Sequence, residues 1–468
     1  MTTASRFLTL FHAALIIGFL AFSPAHAAEP AGQPAPGYFR VVQTNGHWWF
    51  IDPLGQPFLS KGVCHIQFDA DPTRETRRSA YGESCQAKYG AKQPWREAAE
   101  RRLMQWGFNT IGAWSDSALA KVELDGRRLA DAPILDLGSG FVAADGQGRD
   151  AWLRGLFPDC FEPNFETFCR RRAAERCTPS KDDHWLLGWF TDNEMRWGPD
   201  WRGKSELLTM FLNLRPAKAG RVAAVSLLRE RHGAIEKFNA VWKTPFASWQ
   251  ELEQATNVAA PFTRRELYAQ NEGDERKANE SDPARAAFVA DCEAFVGLLA
   301  DRYFRITREA LRAADPNHLN FGCRFAYVPP VPVLEAAARH LDVISFNSYA
   351  TDPKVTILKY AGRAKPLIIG EFTFRALDVG LPNTKGAGPR VATQAERASG
   401  FERYVTSALE IPELIGYHWF QHSDQPKEGR FDGENSNYGL VNAADEPYAE
   451  LTKTATEVNA RAEQLHRR

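Results

Sequence analysis

The sequence predicts an α/β protein of the (β/α)8 TIM-barrel type, with a short N-terminal β-hairpin cap and a helical insertion after the fourth strand. Three observations predict it. Apolar runs of strand length alternate with helix-period patterns along most of the chain, as in βα units around a parallel sheet. There are eight such runs, the number that closes a barrel of this kind. No Gly-rich phosphate turn follows the first run, which argues against an open dinucleotide-binding sheet.

The elements follow in order along the 468 residues. Residues 1–27 have the layout of a secretory signal peptide: Arg6, an apolar stretch over 7–22, then Ala25-His26-Ala27 as a small-x-small cleavage site. That stretch is marginal for a membrane span, so a retained anchor is the alternative. The mature chain is therefore expected to be secreted or periplasmic, with residues 28–37 as a Pro/Gly/Ala linker. Residues 38–60 form the cap. Asn45-Gly46 between two β-rich runs signals a hairpin, and Pro53-Leu54-Gly55-Gln56 a second turn. The barrel occupies 61–460, with strands expected at 58–64, 109–114, 133–137, 186–191, 320–325, 343–348, 366–371 and 414–420. A helix over 95–106 should stop at Gly107. Asp282-Pro283 should cap and start another, ending before Asp315-Pro316. Between them lies the insertion, 196–282, with helical patterns at 204–214, 221–232, 234–241, 248–254 and 264–271 and a charged stretch at 273–281.

A formal net charge of −1 gives no sign of nucleic-acid or membrane-surface binding. The seven cysteines are an odd count, so at least one stays unpaired within the chain. Cys169 and Cys177 fall two turns apart on one predicted helix, roughly 12 Å, too far to bridge. No Cys/His cluster has zinc spacing and no His-x-His follows the first strand, so neither metal nor cofactor is expected.

The chemistry rests on two glutamates. Glu194 closes the run Trp185-Leu-Leu-Gly-Trp-Phe-Thr-Asp-Asn-Glu, and Glu371 closes Pro366-Leu-Ile-Ile-Gly-Glu. Glutamate is seldom buried without a partner, and C-terminal strand ends of a barrel converge on one pocket. Two carboxylates facing one bond is what glycoside hydrolysis requires: about 5–5.5 Å apart for retention, about 6.5–9.5 Å for inversion. Glu194 is expected to be the acid/base, its carboxyl raised by Trp189 and Trp197. Glu371 is expected to be the nucleophile, with donors from Tyr349 or Asn347. Asn193 could hydrogen-bond a sugar 2-hydroxyl. Trp419 could stack on a pyranose or merely pack in the core. Arg324, Trp114, His65, Gln421, His422 and Asp424 complete the candidate binding set, and the polar stretch 432–438 reads as a hydroxyl-binding loop or a turn.

Asp192-Asn193-Glu194, Ile369-Gly-Glu-Phe and the tryptophan of the last strand resemble clan A of the retaining glycoside hydrolases. More closely, the chain resembles glycoside hydrolase family 50, the β-agarases. That resemblance is carried by Asn45-Gly-His-Trp-Trp-Phe-Ile-Asp-Pro-Leu-Gly-Gln-Pro-Phe, Gly188-Trp-Phe-Thr-Asp-Asn-Glu-Met-Arg-Trp, Asp342-Val-Ile-Ser-Phe-Asn-Ser-Tyr and His418-Trp-Phe-Gln-His-Ser-Asp-Gln-Pro. It spans 38–449 and implies retention, Glu194 as acid/base, Glu371 as nucleophile and a β-galactosidic link in a galactan such as agarose. Where that family carries a large N-terminal carbohydrate-binding module, only the short hairpin cap is expected here. A β-glycosidase acting on another β-linked glycan and an inactive glycan-binding barrel are the alternatives.

Overall fold

The computed structural model describes residues 35–148, 150–268 and 282–468. The expected signal peptide, most of the linker and the charged stretch 273–281 lie outside the described residues. Asn45 and Gly46 take φ of 53° and 84°, the double left-handed turn that suits a two-residue hairpin. They join β1 (Arg40–Thr44) to β2 (His47–Ile51), and β3 (Pro57–Phe58) adds antiparallel to β2. In the second turn the Asp52 carboxylate accepts from the backbone N–H of Leu54 and Gln56, at 2.9 and 2.8 Å.

The expected first strand divides at Leu59: its start joins the hairpin sheet and its end becomes β4 (Ser60–Val63). Then come β5 (Thr110–Ile111), β6 (Ala130–Asp131), β7 (Gly188–Phe190), β8 (Leu319–Gly322), β9 (Ile344–Asn347), β10 (Leu367–Phe372), the small pair β11 (Arg375–Ala376) and β12 (Arg390–Val391), and β13 (Leu414–Trp419). A central parallel sheet runs β6-β5-β4-β13-β10-β9, and β7 pairs with β8. Single parallel bridges link Asp131 to Leu186, Ile134 to Phe190, and Phe325 to Phe346. Helices cover the sheet, so its strands read as continuous apolar runs.

The third strand departs from expectation, beginning at Ala130 rather than at Pro133. Pro133 has no N–H for a ladder, and Asp136, at φ 52°, ends the extended run. Residues from Leu137 to Val142 are helical instead. The buried Asp192 carboxylate accepts from the N–H of Gly138 and Ser139 at that helix's start, at 2.7 and 2.9 Å.

The helix Lys92–Gln105 ends at Gly107, φ 75°. The helix Pro283–Ala314 runs 32 residues, with the Asp282 carboxylate accepting from the N–H of Ala284 and Arg285. It packs against the sheet-layer helices Pro163–Cys177 and Val331–His340, and also against Leu207–Leu212 and Ile235–Trp242 of the insertion. Asp291 fastens these together, accepting from Arg231, His232 and Trp242 at 2.7, 2.8 and 3.0 Å. All seven cysteines are buried. Among the described residues, no helix is long and apolar enough to cross a membrane and no group of His, Cys, Asp and Glu could hold a metal ion.

Candidate active site

The two glutamates reach one cluster by different routes. Glu371 lies within β10, in register with Asn347 of β9. Glu194 sits beyond the end of β7, in a turn with φ 50°. Its N–H donates to the carbonyls of Cys323 and Arg324, at 3.1 and 3.0 Å, which holds the turn against the end of β8.

Arg324 and Tyr349 each donate to a different oxygen of Glu371. Arg324 is wholly buried; its Nε donates to Asn347 Oδ1 at 3.4 Å and its Nη2 to the Gly370 carbonyl at 3.2 Å. Its guanidinium lies over the rings of Trp114 and Phe190, at 4.5 and 5.1 Å. Asn347 completes the link: its Nδ2 donates to Glu194 Oε1 at 2.9 Å and to Asn193 Oδ1 at 3.1 Å. One chain of hydrogen bonds therefore runs Glu194–Asn347–Arg324–Glu371. The expected donors divide their work: Tyr349 serves Glu371, while Asn347 serves Glu194 and Asn193.

Burial raises the Glu371 carboxyl to about 7; the Arg324 charge opposes this and the Glu194 charge adds to it. Burial and the Glu371 charge keep the Tyr349 phenol well above its ordinary range, so it remains a donor. Burial lifts the nearby Cys64 thiol to about 12, and its Sγ lies 3.4 Å from the Gly370 carbonyl.

The tryptophans expected beside Glu194 point elsewhere. Trp189 Nε1 donates to Asp315 at 2.7 Å, and Trp197 stacks on Phe304 with centroids 5.4 Å apart. Alternation along β7 sends Trp189 to the outer face of the sheet. Trp419 is also a correction: it is fully buried, donates to the Tyr438 carbonyl at 2.9 Å and packs edge-on to Phe372, so it presents no face to a saccharide. His422 is fully buried among Tyr81 and Trp95, and burial depresses its imidazole to about 3. Asp424 accepts from the Gly439 N–H, Asn437 and Tyr448 within the fold. Gln421 is buried and donates to Asp71 and to the Ser423 carbonyl. The chain after β13 turns inward beneath the segment 434–448, so its polar groups brace that segment instead of facing a pocket.

His65 stands 3.1 Å from Asp71. Burial alone would raise the Asp71 carboxyl, but His65 and Arg430 hold it well below the usual range. Asp71 and Arg430 had no strand-end or motif signal of their own, whereas Glu434 lies in the polar stretch 432–438. Arg430 pairs with Asp432 and Glu434 at 2.9 Å each, and the Glu434 carboxyl is raised, by burial first and by the Glu194 charge among other causes. The stretch 432–438 thus supplies a third carboxylate near the pair.

No protein-family model matches the sequence. The chain is similar to β-agarase B of Vibrio sp. (strain JT0107): 30% identity over 90% of this chain and 48% of that protein. It spans about half the length of that curated relative. Among solved structures, an exo-β-agarase superposes with a TM-score of 0.74 at 26% identity, covering 92% of this chain and 66% of the other. A second agarase gives 0.74 at 27% identity, covering 93% and 66%. In sequence and in fold the chain is agarase-like.

Proposed function

We propose that this chain is a retaining β-glycosidase of agarase type, hydrolysing β-galactosidic links in a galactan or its oligosaccharides. The observation that carries the reading is the joined pair: an Arg- and Tyr-held Glu371 connected to Glu194 through Asn347, in a chain similar to β-agarases. Glu371 attacks the anomeric carbon while Glu194 gives its proton to the departing oxygen, and the C1–O bond breaks. A water then adds to C1 as Glu194 takes back a proton, releasing Glu371. Arg324, fully buried with fixed charge, favours the negative charge at Glu371 that attack requires. Asn193, Trp114 and His65 are read as sugar-contacting groups.

We read the parallel sheet and the β7–β8 pair as one closed (β/α)8 barrel of clan A type. The three single bridges support this, because they join the two free edges of the sheet through β7 and β8. The N-terminal export motif supports a secreted or periplasmic location. The test is hydrolysis of agarose oligosaccharides and aryl β-galactosides with NMR detection of the anomer first released. The β anomer is expected. Release of the α anomer would refute the double displacement, and unchanged turnover in Glu371→Gln would refute Glu371 as the nucleophile.

A further inference from the structure

Trp152 and Trp201 stand edge to face, ring centroids 6.0 Å apart at 70°. Arg202 lies against both, its guanidinium 4.7 Å from one centroid and 5.5 Å from the other. The Arg202 side chain is 2% exposed and paired with Asp200 at 2.7 Å, whereas Trp201 is 44% exposed. The guanidinium is thus already satisfied, and the indole beside it leaves a large apolar face in water that packing does not use.

Two bonds fasten the group to the backbone of Asn193 and Glu194. Trp152 Nε1 donates to the Asn193 carbonyl at 3.0 Å, and Arg202 Nη2 donates to the Glu194 carbonyl at 2.7 Å. Trp152, Arg202 and Glu194 line one cavity with Ser139, Gly155 and Met195, and Trp201 stands outside its wall, against Trp152 and Arg202. Among the described residues, its wall contains neither Glu371 nor the Arg324 and Tyr349 that hold it. A surface that adjoins the acid on the side away from the nucleophile meets the departing group, because the acid stands at the oxygen between the two sugars.

We propose that Trp201, braced edge to face by Trp152, forms a stacking platform for the sugar ring on the leaving-group side of Glu194, the C–H face of a galactose unit lying on the exposed Trp201 indole. This rests on the glycosidase reading for its sidedness, but binding at the platform does not need turnover. Because Trp152 is tied to the Asn193 carbonyl and Arg202, which lies against both rings, to the Glu194 carbonyl, a sugar seated there is held in register with the acid.

The test is calorimetric binding of an agarose hexasaccharide to the full chain carrying Glu371→Gln. Adding Trp201→Ala should weaken affinity roughly tenfold or more, as removal of a central aromatic anchor does. Adding Trp201→Phe, which keeps a ring, should hold it within about threefold of the parent. In chains with Glu371 intact, Trp201→Ala should lower kcat/KM for the oligosaccharide roughly tenfold more than for β-galactosyl fluoride, whose leaving group carries no sugar. Equal affinity with and without Trp201, or no binding to the parent, overturns the platform. Equal losses on both substrates overturn its sidedness. Trp201-dependent binding in a chain that hydrolyses no β-galactoside overturns the glycosidase reading and leaves the platform standing.

Discussion

Glu371 and Asp445 are built from the same parts. Each is a buried carboxylate that accepts from an arginine and from tyrosine hydroxyl, and each has a buried cysteine beside it. Asp445 accepts from Tyr81 at 2.9 Å, Tyr89 at 2.6 Å and Arg102 at 2.7 Å, with Lys88 at 3.4 Å. Burial would raise its carboxyl, but Arg102 and the other donors bring it down to about 2. Glu371 has one cation and one tyrosine, faces a second carboxylate, and rises to about 7. Their cysteines behave alike, since burial takes Cys64 and Cys85 both to about 12. Burial is thus common to the two sites, and what separates them is the company. Saturation with donors makes a structural clasp, while an under-donated carboxylate opposite a like charge keeps a proton within reach of neutral pH.

The strongest challenge to this contrast is Glu371→Gln, expected to cut glycoside turnover by roughly a thousandfold or more, measured as product release from a β-galactoside. Asp445→Asn should leave turnover per folded molecule intact but remove about 3–5 kcal/mol of stability, because it strands the Arg102 charge; urea unfolding checks this. Tyr349→Phe removes a hydrogen bond to a charged group, so kcat/KM should fall roughly 10- to 100-fold. That bond favours the ionised form of Glu371. Activity of the parent should therefore fall as pH drops through about 7, and in Tyr349→Phe the same fall should begin at higher pH.

Linkage separates the sites further. The Asp445 carboxyl is depressed, so its stabilisation is present above its unfolded value of about 3.9 and is lost as pH falls through about 2. The Glu371 carboxyl is raised, so stability declines as pH climbs from about 4.3, its unfolded value, through about 7. Relative to the parent, Glu371→Gln should gain more thermal stability at pH 8 than at pH 4.5. The smallest effect is expected at the thiols: neither Cys64 nor Cys85 should react with iodoacetamide at pH 8 in the native protein, whereas both should after denaturation.

The sequence made legible what depends on period and punctuation. Asn45-Gly46, Asp282-Pro283 and Gly107 located their turns and helix ends because each meets a backbone demand that few other residues meet. The register of β10 with β9 brought Glu371, Asn347 and Tyr349 together, and that followed from strand-end logic. Side chains just past the strands were harder to place. Trp419, His422 and Asp424 look like pocket residues in one dimension, yet the chain after β13 turns inward and seals them. Trp189 was misplaced because nearness in sequence was read as nearness in space although alternation sends it outward, and Trp197 because it lies in the loop beyond β7, where no period assigns a face. Trp152, Trp201 and Arg202 had no motif, since their relation to Glu194 runs through backbone carbonyls that any residue type would supply.

The helix Pro283–Ala314 leaves one more consequence. At 32 residues it extends about 48 Å, touching the sheet-layer helices and the insertion that follows Trp201 alike. A rod of that length does not flex midway without forfeiting several backbone hydrogen bonds. The insertion helices Leu207–Leu212 and Ile235–Trp242 and the sheet-layer helices beside them are therefore carried on one continuous rod.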